Sequence, residues 1–246
     1  KVGADIFGEQ ILTQLVRENL DVEHIVTEKN QPTGIASITK ATGDNSIVVI
    51  SGANACTDVQ FVEEKSKIIA GSKVLLVQLE IPVVALKEAL KIAETNGVIT
   101  ILNPAPYTKD LIELLPYVDY LTPNETEFLE IVSDFHEPSY FEKDLLLLSE
   151  KIHPKIIITR GENGVSFVEN NQVLTIPAIS VNVEDTTGAG DTFNGILASS
   201  LAQKQPLMAS VKLAALGASI SVEKEGAQSG MPTIEELNIV LASIEK

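Results

Sequence analysis

A short run in the C-terminal third of the chain, D-T-T-G-A-G-D at positions 185–191, combines small residues with a carboxylate. Gly188, Ala189 and Gly190 carry little or no side chain, so their N–H groups can approach an anion closely at a predicted helix start. We expect Asp191 in the first turn of that helix, in its charged form, where it can accept a proton from a hydroxyl. Phosphoryl transfer requires such an anion cradle beside a proton acceptor. The alternative is a tight glycine turn followed by an ordinary first-turn acid.

The elements that must position this run alternate, from about Ser72 onward, between short apolar strands and longer amphipathic stretches. The predicted strands span 73–79, 98–102, 118–121 and 155–159, and the predicted helices span 58–70, 83–96 and 124–132. Strands that are apolar at successive positions are typical of a sheet buried on both faces. The pattern predicts an α/β fold of three layers, in which an open, mostly parallel sheet carries helices on both faces. Thr57 and Gln60 have the spacing of a helix capping box.

Two segments depart from this alternation and predict antiparallel pairing. Residues 33–50 hold two β-branched runs joined by T-G-D-N at 42–45, which predicts a β-hairpin lid within residues 31–51. A second pair of runs flanks a predicted turn at Asn170 and Asn171, at the edge of the main sheet. Three helical stretches are predicted at 189–203, 207–223 and 233–245. No repeat or linker divides the sequence, so residues 1–246 are predicted to form one domain.

Polar or glycine-rich residues follow the predicted strands at the point where each strand ends. They are Glu80, N-P-A-P at 103–106, T-P-N-E-T-E at 122–127 and R-G-E-N-G at 160–164. Parallel strands end at a common edge, and ligands bind there in open α/β sheets. We therefore expect these clusters to lie together with the 185–191 run.

Composition excludes several classes of function. The chain has 34 acidic and 18 basic side chains, a net charge of −16, whereas a nucleic-acid binder needs a basic face. A single cysteine, Cys56, cannot form an internal disulfide, and the three histidines are not spaced as zinc ligands. No apolar run approaches the roughly 18 residues of a membrane helix, and no signal peptide opens the sequence, so we expect no membrane partner and a cytoplasmic location. Walker-type, dinucleotide-binding and protein-kinase motifs are absent from the sequence.

Several of these motifs together resemble one family. D-T-T-G-A-G-D-T-F-N-G at 185–195 is similar to the C-terminal signature of the ribokinase-like carbohydrate and nucleoside kinases, and N-E-T-E at 124–127 to their magnesium and phosphate motif. The remaining matches occur in order over almost the whole chain, with the spacing found in ribokinases: T-G-I-A at 33–36, G-A-N-A at 52–55, Q-L-E at 78–80, N-P-A-P at 103–106 and K-E-G-A-Q at 224–228. Each tetrapeptide is weak alone, but their co-occurrence is specific.

The resemblance implies ATP-dependent phosphorylation of the 5-hydroxyl of D-ribose. In that scheme Asp191 resembles the catalytic base and contacts the sugar, the amides of 188–190 resemble the anion hole, and Glu80 matches a sugar-binding position. Asn124 and Glu127 match positions that act on the ATP phosphates and on Mg²⁺. The nucleotide-binding loop is matched by Thr159, Arg160, Gly161, Glu162, Asn163 and Gly164, and the resemblance also assigns Gly190 to nucleotide binding.

Purely structural alternatives remain open for three of these assignments. Glu80 could cap a helix that starts near Pro82. Asn124 with Glu127 three residues later is also an ordinary capping box. The glycines of 159–164 could simply form a turn between two strands. A related kinase acting on deoxyribose, fructose or a nucleoside, and a catalytically silent sugar- or nucleotide-binding protein, are the competing functions.

The resemblance also implies a bound K⁺ beside the anion hole, held largely by carbonyls. The matching positions are Asp185, Thr187, Ser221, Lys224, Gly226 and Gly230, and Lys224 can serve only through its backbone carbonyl. The family often has Asn or His near the adenine where this chain has Ala215, so we expect a side-chain contact to the nucleotide to be lost.

Two further expectations concern the lid and the start of the chain. In the family the lid closes over the sugar and often pairs with that of a second subunit, so we expect a homodimer through the hairpin. The family also begins with a strand that carries a sugar-binding aspartate, followed by a glycine-pair segment, and neither precedes Lys1. We therefore expect the N-terminal part of the full domain to lie upstream of this sequence.

Overall fold

The computed structural model describes residues 1–41 and 44–244. Its strands are β1 (Val2–Gly3), β2 (Thr27–Glu28), β3 (Ile35–Ala41), β4 (Asp44–Ile50), β5 (Val74–Gln78), β6 (Ile99–Asn103), β7 (Tyr120–Leu121), β8 (Lys155–Thr159), β9 (Val165–Glu169) and β10 (Gln172–Ile176). Its α-helices are α1 (Ile6–Arg17), α2 (Val59–Glu64), α3 (Ser66–Gly71), α4 (Val83–Thr95), α5 (Leu111–Leu114), α6 (Glu125–Phe135), α7 (Phe141–Lys151), α8 (Ala189–Ala202), α9 (Leu207–Ser221) and α10 (Ile234–Ile244).

Six strands form the central sheet, in the order β10-β9-β8-β7-β6-β5. The four strands from β5 to β8 run parallel, with Val74 opposite Ile99 at the start of β5 and β6. β9 is antiparallel to β8, and β10 is antiparallel to β9. The predicted turn between β9 and β10 is confirmed, because Asn170 and Asn171 both have positive φ, at 50° and 59°, as a type I′ hairpin turn requires.

Successive residues of the parallel strands enter two different cores, which confirms the predicted three layers. Leu102 and Ile158 pack with buried residues of α4, α5, α6 and α7 on one face. Ile101 and Ile157 pack with Phe193 and other residues of α8 and α9 on the opposite face. Because side chains alternate across a strand, a strand buried on both faces must be apolar at successive positions. The carboxyl ends of the strands therefore lie between two helical layers.

The predicted helix at 58–70 is corrected by the structure. It is two helices, α2 and α3, which meet at Lys65. The capping residue is Asp58 and not Thr57: the Asp58 carboxylate accepts a hydrogen bond from the N–H of Phe61 at 2.8 Å. Thr57 instead ends a 3-10 helix over Gly52–Cys56, and its backbone N–H bonds the carbonyl of Asn54 in that helix. The N-cap of α2 is therefore the next residue, Asp58.

The hairpin of β3 and β4 forms a two-stranded sheet of its own. Ile35 pairs with Ile50 at one end of this sheet, and Ala41 pairs with Asp44 at the other end. Thr42 and Gly43, predicted as part of its turn, lie outside the described residues. Val48, Val49 and Ile50 expose 59%, 58% and 48% of their surface, so apolar side chains of β4 face solvent. None of the helices in the described ranges has the length and apolar character needed to cross a membrane.

Candidate active site

The N-terminus of α8 has the geometry of an anion cradle. Gly188 precedes the helix with φ 81°, a left-handed conformation that favours glycine, and a Cβ here would meet Ala227 Cα at 2.9 Å. The first hydrogen bond into the helix is donated by Thr192 N to Gly188 O at 2.9 Å, so the amides of Gly190 and Asp191 precede it. A Cβ on Gly190 would meet nothing within 4 Å. An anion can therefore reach these amides.

Asp191 lies in the first turn of α8, as predicted, with its side chain exposed beside the cradle. The sequence led us to expect the helix N-terminus to favour its charged form. Desolvation by the surrounding protein opposes this effect, and it raises the pKa of the Asp191 carboxyl above its ordinary value. A raised pKa makes the carboxylate a better proton acceptor than an ordinary aspartate, provided that it is still ionised at the working pH.

Asn124 and Glu127 form a complete capping box at the start of α6. Asn124 Oδ1 accepts from Glu127 N, and Glu127 Oε2 accepts from Asn124 N, each at 2.8 Å. The structural interpretation of this pair is therefore correct, and it leaves the second Glu127 oxygen outside the box. Glu127 is only 8% exposed, and burial raises its pKa although the hydrogen bond from Asn124 N opposes the shift. A buried carboxylate of this kind is stabilised by a cation nearby.

The start of α6 lies directly beside the loop that follows β8. Thr159 N donates to Pro123 O at 3.0 Å, and Asn124 and Thr159 form a parallel bridge. The predicted phosphate motif and the predicted nucleotide loop are thus neighbours in space, although 35 residues separate Asn124 from Thr159 in the chain. This contact is the one expected at the common edge of parallel strands.

The loop at 159–164 is a tight turn that only glycine can complete. Gly161 and Gly164 have φ of 52° and 79°, and a Cβ on Gly164 would stand 2.0 Å from Ile176 O. Arg160 N donates to Gly164 O at 2.8 Å and closes the turn. The turn interpretation is thus correct as local structure. It does not exclude a binding role, because the turn presents part of its backbone to a cavity.

A cavity of about 510 Å³ connects this turn to the α8 cradle. Such a volume is typical of small-molecule sites. Four predicted loop residues line it, namely Thr159, Gly161, Glu162 and Gly164, together with Ala189, Gly190 and Phe193 of α8 and Ala215, Ala218 and Val222 of α9 and its end. Ala215, which the resemblance places near the adenine, is part of this wall. Arg160 and Asn163 are not among the lining residues.

The six residues predicted to hold a monovalent cation belong to two interlocked segments. Asp185 Oδ1 accepts from Thr187 N at 3.0 Å, and Asp185 Oδ2 accepts from Gly226 N at 3.2 Å. Gly230 packs so closely that a Cβ would stand 2.2 Å from Ser221 O. The Lys224 ammonium pairs with Glu236 at 2.9 Å, so only the Lys224 backbone carbonyl remains as a candidate ligand. One carboxylate with several carbonyls is an oxygen donor set suited to a hard cation.

Glu80 follows Leu79 at the carboxyl end of β5 and is exposed. Its alternative role as a helix cap is wrong, because Pro82 is the N-cap of α4 and no side chain caps that helix. Leu79 N donates to Ala105 O at 3.1 Å, which brings the N-P-A-P loop beside Glu80. The predicted sugar position therefore lies at the same sheet edge as the other clusters.

One buried polar contact below the cradle was not predicted. Thr122 Oγ1 donates to Asn194 Oδ1 at 2.7 Å, and Asn103 Nδ2 donates to the Thr122 carbonyl at 2.8 Å. Asn194 stands three residues after Asp191 on α8 and is 1% exposed. These bonds tie the helix that carries Asp191 to the ends of β6 and β7. The sequence signal for this contact is a polar Asn between the apolar residues Phe193 and Leu197 of the same helix.

Comparisons with known proteins agree on one family. Residues 1–234 match the family described as pfkB family carbohydrate kinase. A ribokinase of Lactococcus lactis is 37% identical over 244 residues, a match that covers 99% of this chain and 78% of the relative. The structure of a ribokinase from Thermotoga maritima superposes with a TM-score of 0.89 at 32% identity, covering 98% of this chain and 79% of that one. The structure of an Arabidopsis thaliana ribokinase complexed with ribose and ATP also superposes with a TM-score of 0.89, at 26% identity. This match covers 98% of this chain and 80% of the Arabidopsis chain.

Proposed function

The chain belongs to the pfkB family of carbohydrate kinases, and we propose that it transfers the γ-phosphoryl group of ATP to the 5-hydroxyl of D-ribose. The observation that carries the proposal is the position of Asp191 directly after Ala189 and Gly190, two residues of the cradle that line a cavity of about 510 Å³. An acceptor hydroxyl beside Asp191 and a phosphate on the amides would stand next to each other. This is the arrangement that phosphoryl transfer needs.

The reaction divides between a proton acceptor and an anion site. Asp191 takes the proton of the sugar hydroxyl while the hydroxyl oxygen of the sugar forms a bond to the γ-phosphorus. The bond between that phosphorus and the bridging oxygen of ADP breaks at the same time. The amides of residues 188–190 stabilise the negative charge on the transferring group, and the dipole of α8 adds to their effect. Adenosine would lie along the cavity, against Ala215 and the turn at 159–164.

Two cations complete this scheme. Asn124 and Glu127 would hold Mg²⁺ on the ATP phosphates, partly through water, and the ion would neutralise phosphate charge when bound. The buried Glu127 carboxylate fits this role because a cation would offset the cost of burying its charge. Asp185 and the carbonyls of 221–230 would hold K⁺. Ala227, within that loop, approaches Gly188 closely, so an ordered cation loop would support the cradle.

D-ribose is favoured as the acceptor by the ribokinase relatives, and ribose is bound in the Arabidopsis structure. Glu80 would contact sugar hydroxyls from the end of β5. The decisive experiment is a coupled assay of ADP release with D-ribose, 2-deoxyribose, fructose and adenosine as acceptors. We expect the highest kcat/KM for D-ribose, and a higher value for another acceptor would reassign the substrate. If calorimetry detects ligand binding while no acceptor yields ADP, the protein is a silent binder.

The hairpin of β3 and β4 is our candidate for a homodimer contact. Val48, Val49 and Ile50 present exposed apolar surface on a sheet that is separate from the central one, and such surface is suited to burial against a second copy. Light scattering should then give twice the chain mass, and Val49→Asp should lower the dimer fraction. A monomer at all concentrations would reject this contact.

The use of ATP favours the cytoplasm as the location.

A further inference from the structure

Arg160 holds a junction of four elements just outside the cavity. Its Nε donates to Glu125 Oε1 at 3.0 Å, and its Nη1 donates to Ser166 Oγ at 3.2 Å. The guanidinium carbon lies 3.8 Å from the centre of the Phe141 ring, at the start of α7. The Ser166 hydroxyl also bonds Thr175 Oγ1 at 2.8 Å, which extends the junction to β10. The side chain is only 19% exposed.

The backbone of the same residue closes the nucleotide turn. Arg160 N donates to Gly164 O at 2.8 Å, and Asn163 N donates to Arg160 O at 2.9 Å. Gly161, Glu162 and Gly164 of this turn line the cavity, whereas Arg160 does not, and its side chain contacts Glu125, Ser166 and Phe141 instead. A displacement of the Arg160 backbone would therefore be passed to the part of the turn that lines the cavity.

The partner carboxylate connects the turn to the phosphate motif. Glu125 is the first residue of α6, directly after the cap Asn124. On the backbone side, Thr159 N already donates to Pro123 O at 3.0 Å. The Arg160–Glu125 ion pair is a second tether between the same two segments. The turn therefore contacts the α6 N-terminus both through its backbone, at Pro123 and Asn124, and through the Arg160 side chain, at Glu125.

We propose that Arg160 is a positioning residue, which holds the nucleotide turn in register with the N-terminus of α6 and thereby sets nucleotide affinity. The inference rests on the proposed function, because it takes the cavity to be the nucleotide site. An isolated, half-exposed ion pair contributes little to the stability of a local structure. Here the same guanidinium also stacks on Phe141 and bonds the buried Ser166, so three constraints act on one rigid group.

Arginine suits this role better than lysine. The planar guanidinium can stack on a ring and donate two hydrogen bonds in fixed directions at the same time, whereas an ammonium is a flexible point charge. Arg160→Met keeps much of the apolar stem and removes all three polar and stacking contacts. We expect this variant to raise KM for ATP about tenfold, the change expected for losing a hydrogen-bonded charge, with KM for ribose unchanged. Arg160→Lys should recover part of the loss.

Tyr107→Phe is the matched control. The Tyr107 hydroxyl bonds the Asp134 carboxylate near the opposite end of α6, so its loss loosens the same helix away from the cavity. This control should lower Tm without changing KM for ATP. The inference is overturned if Arg160→Met leaves KM for ATP unchanged, or if it raises KM for ribose by the same factor. It is also overturned if Tyr107→Phe raises KM for ATP as much as Arg160→Met does.

Calorimetry of Mg-ADP binding separates this inference from the proposed function. If the unsubstituted protein binds Mg-ADP but does not phosphorylate ribose, the proposed function fails, and the Kd of Arg160→Met still tests the positioning role. We expect that Kd to rise about tenfold, in step with KM. If Arg160→Met does not fold, Glu125→Gln provides the same test from the other side of the pair, and an unchanged Kd in that variant overturns the inference.

Discussion

Asp191 is the residue on which the proposed chemistry depends. It stands in the first turn of α8, one position after Gly190, and desolvation raises its pKa. Its location could be predicted from the run G-A-G-D, because a glycine-rich helix start is a local pattern. Its raised pKa could not, because desolvation depends on how much protein other parts of the chain place around the carboxyl.

Replacing the carboxylate should remove the proton acceptor and little else. We expect Asp191→Asn to lower kcat by on the order of 10² to 10⁴, the usual contribution of a general base, with nucleotide affinity nearly unchanged. Steady-state kinetics and calorimetry measure the two quantities. Glu150→Gln, which alters an exposed carboxylate on α7, is the control and should keep normal turnover. Near-normal turnover of Asp191→Asn would reject the assignment as base.

The raised pKa of Asp191 also predicts how activity depends on pH. A base must be deprotonated to act, so kcat/KM for ribose should fall as pH falls through the pKa of the Asp191 carboxyl in the folded protein, which desolvation holds above its ordinary value. Because folding raises this pKa, the ionised Asp191 carboxylate lowers the stability of the folded protein at neutral pH. This destabilisation disappears below the pKa of the unfolded state, where the carboxyl is protonated in both states. Asp191→Asn should therefore have a higher Tm than the unsubstituted protein at pH 7. A Tm lower by several degrees would contradict the sign of the shift.

At the scale of elements, two glycines at the start of α8 have different tasks. Gly188 has φ 81° and no room for a Cβ beside Ala227, whereas a Cβ on Gly190 would enter the open cradle. Gly188→Ala should therefore lower the free energy of unfolding by at least about 1–2 kcal/mol, the cost of a left-handed residue with a side chain.

Gly190→Ala is the matched opposite case. Alanine is the better helix former by about 1 kcal/mol, so stability should be equal or higher, while the methyl group in the cradle should lower kcat/KM for ATP. Thermal unfolding and the kinase assay distinguish the two variants. Loss of stability in Gly190→Ala, or full activity in both variants, would contradict the cradle.

Most elements of the sheet could be predicted because buried strands leave an unbroken apolar run. The helices α1 and α7 were not predicted, although α7 places Phe141, Leu145 and Leu148 on one face with helical spacing. Its start lacks a capping side chain, and its buried Asp144 disturbs the polar pattern. Burial raises the pKa of Asp144, but hydrogen bonds from Ser139 N and His136 outweigh it and lower the pKa overall. Such compensation between segments cannot be deduced from periodicity alone.

At the scale of the whole molecule, the cradle depends on segments that are distant in the sequence. Asp185 accepts from Gly226 N, 41 residues away, and Ala227 closes on Gly188. The resemblance to a family identified both segments, but no rule of spacing predicts that they interlock. The meeting of Asn124 with Thr159 was predictable, because it follows from the common edge of parallel strands.

Because the segments of Asp185 and Gly226 contact each other and the cradle, a cation bound between them would affect the activity of the whole site. If K⁺ binds Asp185 and the nearby carbonyls, it will order the loop that supports the cradle, and kcat/KM should be higher in K⁺ than in a large inert cation such as tetramethylammonium at equal ionic strength. Asp185→Asn should reduce the difference, because it removes the one carboxylate among the predicted ligands. Equal kcat/KM in both salts would reject the cation site.

The proposed reaction depends on bare main-chain amides at the start of α8, beside Asp191, that bind the phosphoryl group during its transfer. A crystal structure with a non-hydrolysable ATP analogue and D-ribose tests it most directly. We predict the terminal phosphate within hydrogen-bonding distance of the Gly190 amide, and the sugar 5-hydroxyl within reach of the Asp191 carboxylate. A terminal phosphate bound elsewhere, with Asp191 facing only solvent, would show that the start of α8 is not the site of phosphoryl transfer.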